Sequence, residues 1–113
     1  MKKNLIELLR QWKTGQKIDR QLFSENFIYD VGAPMLDANY FLSQNDNQDM
    51  VDCSEIEIIE HLENINNEVI IFDFFEEITN LYYRRCWVVD FEGELIKKIL
   101  EIKQNIIRKN ENE

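Results

Sequence analysis

The second half of the chain limits the possible folds most, because after residue 53 the helical period disappears and long β-type segments take its place. Segments rich in Ile, Val, Phe, Tyr and Trp follow one another at 55–65, 68–79, 81–91 and 94–103. The stretches NINNEV, ITNLY and FEGEL, which suit tight turns, lie between them. The sequence therefore predicts an antiparallel meander of long strands.

The predicted strands are apolar on both faces. In segment 81–91, alternation puts Tyr83, Arg85 and Trp87 on one face, and Cys86 and Val88 on the other. An antiparallel sheet with one face in water should instead alternate between apolar and polar residues. We therefore expect helices to cover one face, and a second copy of the sheet to cover the other in a homodimer.

The N-terminal half supplies the helices. Four apolar residues recur at the spacing of one helix face: Leu5, Leu8, Leu9 and Trp12. Gly15 predicts the end of this helix, and Asp19 is placed to cap a second short helix that ends near residue 25. A strand at 27–31, closed by the turn at 32–34, should follow, then a short helix within 35–42 and a polar loop at 44–52. Helices followed by a meander predict an α+β fold.

Composition and charge exclude several classes of protein. The 113 residues fit one domain, which we place at 1–104, with a charged tail at 105–113. The net charge of −9 and the lack of a basic stripe argue against a nucleic-acid partner. No apolar run reaches the roughly 18 residues of a membrane span, so we expect a cytoplasmic protein with no membrane partner. Cys53 and Cys86 are expected to be reduced thiols, and neither a metal nor a cofactor is expected.

The order of these segments resembles the nuclear-transport-factor-2-like superfamily, which includes SnoaL-like proteins and ketosteroid isomerases. The resemblance covers about residues 5–103 and depends on LFSENFIYDVGAP before and through the first strand, and on WVVDFEGELIKKILEI at the last hairpin. It implies a cystatin-like cone, in which N-terminal helices pack on a curved antiparallel sheet around an internal pocket. It also implies frequent dimerisation through the outer face of the sheet.

Asp30 is the candidate catalytic residue that the resemblance implies. Ketosteroid isomerases place an aspartate base just after the first strand, and Asp30 lies within one residue of that place. Their oxyanion hole also needs a tyrosine on the first helix and an acid on the penultimate strand, and these positions fall on Leu8 and Trp87 here. The alternative is that Asp30 caps the turn at Gly32.

Arg85 is the candidate residue for ligand recognition. It shares a strand face with Tyr83 and Trp87, where a guanidinium can hold a carboxylate or stack on a ring. Alternatively, it forms a structural ion pair with Asp30 or Glu76. Further aromatic residues either line a ligand cavity or fill the core: Trp12, Tyr29, Phe72 and Phe74.

The remaining titratable residues favour structural roles. His61 could carry a proton, but a lone histidine in a glutamate-rich strand is more often a surface residue. Four glutamates around it indicate a solvated strand edge: Glu55, Glu57, Glu60 and Glu63.

The sequence thus predicts a protein that binds a small apolar or carboxylate-bearing ligand in an internal pocket. The alternatives are an isomerase, cyclase or hydratase that uses Asp30 as general base, and a protein-association module that binds through the outer sheet face.

Overall fold

The computed structural model describes residues 1–32, 36–37, 41, 56–76 and 80–106. The predicted loop at 44–52 and the charged tail beyond Ile106 lie outside the described residues, as does most of the segment 35–42. Leu36–Asp37, within that last segment, forms a short strand rather than part of the predicted helix.

The described residues contain one α-helix with described ends, a further helical residue at Phe41 within the predicted helix 35–42, one 3-10 turn and six strands. They are α1 (Lys3–Lys13), the 3-10 turn (Arg20–Leu22), β1 (Phe23–Asp30), β2 (Leu36–Asp37), β3 (Glu57–Glu63), β4 (Asn67–Glu76), β5 (Leu81–Glu92) and β6 (Leu95–Ile106). The strands form a single sheet in the order β2-β1-β6-β5-β4-β3. The helix packs on this sheet, so the architecture is α+β as predicted.

The sheet is mixed rather than purely antiparallel. Strands β3 to β6 form the predicted antiparallel meander. Strand β1, however, pairs with β6 in parallel, with Tyr29 beside Ile99. The expectation of a wholly antiparallel sheet was therefore wrong at β1. In a meander, each strand pairs with the next strand in the sequence, and the short connection makes the pair antiparallel. Between β1 and its partner β6 lie three long strands, so the connection is long enough to allow either a parallel or an antiparallel pair.

Helix α1 agrees with its predicted pattern. Leu5, Leu8, Leu9 and Trp12 are all buried against the sheet. The helix ends where Gly15, at φ +70°, donates its backbone N–H to the carbonyl of Trp12 at 3.1 Å. This left-handed glycine is the usual way to satisfy the last carbonyls of a helix. None of the described helices is long and apolar enough to cross a membrane.

The second predicted helix is only a 3-10 turn. Asp19 caps it as expected, because its side chain accepts a hydrogen bond from the backbone of Gln21. The strand then begins at Phe23, four residues earlier than predicted. The consecutive residues Leu22 and Phe23 are both buried. This is possible because the 3-10 turn ends at Leu22 and the strand begins at Phe23. A continuing helix would have rotated one of them away from the sheet.

Two turns of the meander contain a residue with a positive φ angle, and in both the residue type suits that conformation. Gly93, between β5 and β6, has φ +63°, and Asn80, before β5, has φ +56°. Glycine adopts this left-handed conformation freely, and asparagine tolerates it better than most other residues. Strand β6 continues to Ile106, two residues beyond the predicted end of the domain at 104.

Candidate functional site

The inner face of the sheet, defined here as the face that α1 covers, is organised in rows across three strands. Pairing of β4 with β5 and of β5 with β6 aligns Ile70 with Trp87 and Glu101 in one row. The next rows are Phe72, Arg85, Lys103 and then Phe74, Tyr83, Asn105. Polar and charged groups therefore lie beside aromatic rings on the face that helix α1 covers.

Glu101 is the centre of a buried polar cluster. Its carboxylate accepts hydrogen bonds from the Tyr29 hydroxyl at 2.6 Å and from the Trp87 indole N–H at 2.9 Å. Nη1 of Arg85 lies 2.9 Å from Oε1 of the same carboxylate. We call Tyr29, Arg85, Trp87 and Glu101 the inner polar cluster. Each member is at most 7% exposed, so their contacts form away from solvent, where the hydrogen bonds and the ion pair are strongest.

Arg85 makes cation–π contacts with aromatic rings in addition to its ion pair with Glu101. Its guanidinium carbon lies 4.8 Å from the ring centre of Trp12 and 4.4 Å from that of Phe74. Although Nη1 is at ion-pair distance from Glu101, neither Nη1 nor Nε has a hydrogen-bond acceptor among the described residues. The aromatic faces stabilise the cation, but they leave these donors without an acceptor.

Lys103 brings a second cation next to Arg85. The two residues are directly opposed on β5 and β6, and the ammonium of Lys103 lies 4.2 Å from the ring centre of Tyr83. Lys103 is exposed, whereas Arg85 is buried. Like charges opposite one another repel, and the carboxylate of Glu101 lies beside Arg85. Two cationic side chains therefore lie side by side in a chain with a net charge of −9.

The predicted ligand residues come together, but largely as a packed core. The rings of Trp12 and Trp87 stack at 5.2 Å with an interplanar angle of 7°, and Phe72 meets Trp87 edge to face at 5.0 Å. Two surface depressions of the described chain, of about 200 and 620 Å³, are lined by none of the predicted ligand residues. Of that predicted set, only Tyr83 is less than fully buried.

Asp30 does not join the inner polar cluster. Its carboxylate accepts a hydrogen bond from the backbone N–H of Gly32 at 2.9 Å, so it caps the turn as in the alternative interpretation. Alternation along β1 turns Asp30 to the face opposite Tyr29, where its nearest cation is Lys98 at 3.9 Å. This position gives the general-base hypothesis no support.

Sequence reasoning missed Glu101, which replaces Asp30 as the partner of Arg85. The side chain of Glu76, the other predicted partner, lies outside the described residues. Glu101 was missed because of a β-bulge in β6. Phe91 pairs with Ile96, but Asp90 pairs with Lys98. Without the extra residue, counting back from the hairpin would place Leu100 opposite Trp87. The bulge moves the register by one, turning Glu101 inward and Leu100 outward.

Comparison with solved structures identifies this architecture. An NTF2-like protein of unknown function from Burkholderia xenovorans matches with a TM-score of 0.75 over 96% of this chain and 85% of that one, at 7% identity. Another, from Cytophaga hutchinsonii, matches with a TM-score of 0.72 over 89% and 87%, at 11% identity. The chain has the nuclear-transport-factor-2-like fold. This confirms the cone that the sequence resemblance implied.

A third solved structure with this fold has a ligand. It is a hypothetical protein with a ketosteroid isomerase-like fold from Catenulispora acidiphila, in complex with trimethylamine. It matches with a TM-score of 0.69 over 90% of this chain and 86% of that chain, at 12% identity. No protein-family model and no curated protein matches the sequence. At these identities the nuclear-transport-factor-2-like fold is shared, and the chemistry of each protein depends on its own interior.

Proposed function

We propose that this nuclear-transport-factor-2-like protein binds a small apolar ligand whose anionic group, such as a carboxylate, contacts Arg85. The proposal rests on the burial of the Arg85 guanidinium and on its unsatisfied hydrogen-bond donors. Arg85 is 5% exposed, and its Nε and Nη1 have no hydrogen-bond acceptor in the part of the chain that the structure describes. Buried donors are normally satisfied, because each unsatisfied group costs about 1 to 3 kcal/mol. A carboxylate is the acceptor that best matches the planar fork of a guanidinium.

The charges near Arg85 favour an anion over a neutral ligand. Glu101 forms an ion pair with Arg85, and Lys103 places a second cationic side chain in the same row. A ligand carboxylate that contacts Arg85 would therefore lie close to two cationic side chains. The apolar part of such a ligand would contact Phe74 and Tyr83, whose rings stack 5.8 Å apart in the adjacent row. Partly exposed Tyr83 and exposed Lys103 mark the route of entry.

The test is a binding titration followed through the two tryptophans of the chain, Trp12 and Trp87. Both belong to the packed interior around Arg85, so their indole N–H signals in NMR spectra report on a ligand there. The probes are 2-naphthoate and its neutral methyl ester. We expect the naphthoate to shift both indole signals, and the ester to bind at least about tenfold more weakly because a charge-assisted contact is lost.

Matched variants locate the contact. Lys103→Gln removes an exposed charge beside the cluster and should weaken naphthoate binding, whereas Lys97→Gln, on the same strand but at the bulge near the hairpin, should not. Arg85→Lys keeps the charge and removes the fork, so it should weaken binding further. Equal affinity for acid and ester, or equal loss in both lysine variants, would contradict an anion site at Arg85. The absence of any shift at millimolar naphthoate would count against it as well.

We also propose that the outer face of the sheet binds a second copy of the chain. The outer rows are Val69, Val88, Leu100, then Ile71, Cys86, Ile102, then Asp73, Arg84, Gln104. Ile102 is 63% exposed in the centre of this apolar area. Asp73 and Arg84 neutralise each other through two hydrogen bonds of 2.8 and 3.0 Å. The central rows therefore carry no net charge, so two acidic chains repel least where these rows face one another.

The oligomeric state tests this second proposal. Light scattering of the wild-type protein should give twice the chain mass of 13.7 kDa, and Ile102→Asp should return the mass to that of one chain. Ile65→Asp is the control, since Ile65 is 91% exposed but lies in the hairpin between β3 and β4. A wild-type monomer, or a dimer that survives Ile102→Asp, would contradict the proposed interface.

A further inference from the structure

The β3–β4 hairpin carries a cluster of possible metal ligands that is separate from the inner polar cluster. It consists of His61, Glu63 and Glu68, which we call the hairpin cluster. One ligand atom from each residue lies within 4.8 Å of the others. The inner-face row that contains Trp87 separates Glu68 from the row of Arg85. The two sites can therefore be tested independently.

The pairing of β3 with β4 explains why these side chains meet. Glu63 and Glu68 are directly opposed across the hairpin, and His61 lies two residues before Glu63 on the same strand face. Nε2 of His61 is 2.5 Å from Oε1 of Glu68 and 3.8 Å from Oε1 of Glu63. Three ligands on a paired hairpin, rather than on loops, have positions that the backbone holds before any ion arrives.

The electrostatics of the hairpin cluster require a positive charge. Two opposed carboxylates repel each other, and the Glu68 side chain is only 1% exposed. A backbone N–H, that of Lys2, donates to Glu68 at 2.7 Å, but it carries no charge. The α-ammonium of Met1 contacts Glu63 and lies 3.8 Å from Glu68. A metal ion at this position would therefore have to replace the ammonium of Met1 beside the two carboxylates.

We propose that the hairpin cluster binds a divalent transition-metal ion, with Zn²⁺ as the best-matched candidate. One imidazole and two carboxylates are a ligand set that suits Zn²⁺ and its neighbours, and that suits Mg²⁺ poorly because of the nitrogen. A depression of about 200 Å³, lined by residues that include Glu63, Asn64 and Glu68, gives access from solvent. The ammonium of Met1 is the competitor that the metal displaces.

The hairpin itself gives the site the rigidity that metal selectivity needs. The backbone N–H of Asn64 donates to the carbonyl of Asn67 at 2.9 Å, and their side chains bond at 2.8 Å. The backbone of Phe91 donates to the carbonyl of Asn66 at 3.1 Å, which ties the turn to β5. These contacts fix the ends of the strands that carry Glu63 and Glu68.

The experiment is calorimetric titration of the purified protein with ZnCl₂ at neutral pH, with MgCl₂ as a parallel titrant. We expect one Zn²⁺ per chain and no measurable Mg²⁺ binding. His61→Ala and Glu63→Gln should each weaken Zn²⁺ binding about tenfold or more, because each removes a ligand. Bound Zn²⁺ should also raise the melting temperature of the wild-type protein, since it binds the folded chain.

Two control variants separate this site from other zinc binding. Glu60→Gln removes a neighbouring exposed carboxylate from the other face of β3, and Cys86→Ser removes a thiol; both should keep wild-type affinity. Glu63 is 55% exposed, so its substitution leaves the core intact and keeps the test valid if His61→Ala does not fold. Undiminished Zn²⁺ binding in Glu63→Gln, loss of binding in Cys86→Ser, or no binding by the wild type would overturn the proposal.

Discussion

The indole of Trp12 on the helix lies parallel to the indole of Trp87 on the sheet, with 5.2 Å between their ring centres. Both rings are at most 3% exposed. The Trp87 indole also donates to Glu101, so a single side chain joins the helix, the sheet and the inner polar cluster. The stability of the protein should be particularly sensitive to changes at this position.

Trp87→Ala should lower the free energy of unfolding by about 3 to 5 kcal/mol, the usual cost of emptying a large buried aromatic site. Chemical denaturation of both proteins measures the difference. Trp87→Phe, which keeps most of the ring contact and loses the hydrogen bond to Glu101, should cost less. A change near zero in Trp87→Ala would show that the packing around Trp12 and Phe72 is not as described.

Glu101→Gln should destabilise the protein although it changes few atoms. It leaves Arg85 charged, buried and without its carboxylate, a situation that typically costs about 3 to 5 kcal/mol. The double variant Arg85→Met/Glu101→Leu removes both charges and should cost less than the sum of its single changes. Urea denaturation of the wild type, Arg85→Met, Glu101→Leu and the double variant measures the coupling, and the same measurement on Glu101→Gln gives the cost of the unpaired guanidinium. Additive costs would mean that the two side chains do not interact.

The pair Glu7–Arg10 on α1 predicts a pH dependence. The hydrogen bond from Arg10, with a second from Gln11, lowers the pKa of the Glu7 carboxyl from 4.5 to about 2. Because the folded-state pKa is lower than the unfolded one, this contribution to stability is fully present above pH 4.5 and is lost as the pH falls towards 2. The contribution is small, since both side chains are partly in solvent.

Titration of the Glu7 carboxyl by NMR tests this assignment. The midpoint should lie near pH 2 in the wild-type protein and return towards 4.5 in Arg10→Ala. Lys13→Ala is the matched control, because it removes a cation from the same helix without touching Glu7. Equal midpoints in the wild type and in Arg10→Ala would refute the role of the hydrogen bond.

Gly93→Ala should cost about 1 kcal/mol through the backbone alone. The φ of Gly93 is +63°, and a Cβ added there would have no heavy atom within 4 Å. Strain in the turn, rather than a clash, therefore sets the cost. Gly93→Asn should cost less, because asparagine tolerates the left-handed region. Thermal unfolding of both variants compares their stabilities. A Gly93→Ala variant that is more stable than Gly93→Asn would contradict this prediction.

The features that the sequence predicted well are those set by local patterns. The spacing of Leu5, Leu8, Leu9 and Trp12 predicted α1, and the turn residues Asn80 and Gly93 predicted where β5 begins and ends. The role of Glu101 could not be predicted, because it depends on the bulge that places Lys97 between two register pairs. A shift of one residue exchanges the two faces of a strand, and nothing in the composition of β6 marks it.

Several of the predicted ligand residues lie together in the structure, but the sequence did not indicate the carboxylate that joins them. Arg85 and Trp87 share a strand face as predicted, and the carboxylate that joins them to Tyr29 is contributed by β6. Asp30 had the sequence position of a base, yet alternation along β1 turned it away from Tyr29. Long-range partners depend on register across strands, which is fixed by tertiary packing.

The parallel pair of β1 and β6 also affects how the chain can fold. Strand β1 occupies residues 23–30, but its neighbour in the sheet is made from residues 95–106. During synthesis, α1 and β1 leave the ribosome before β6, so β1 cannot pair with β6 until the rest of the sheet has been made. Contacts of such long sequence separation slow folding and prolong the exposure of unpaired edges. The edge of β1 that pairs with β6 should therefore stay unpaired until β6 has been synthesised.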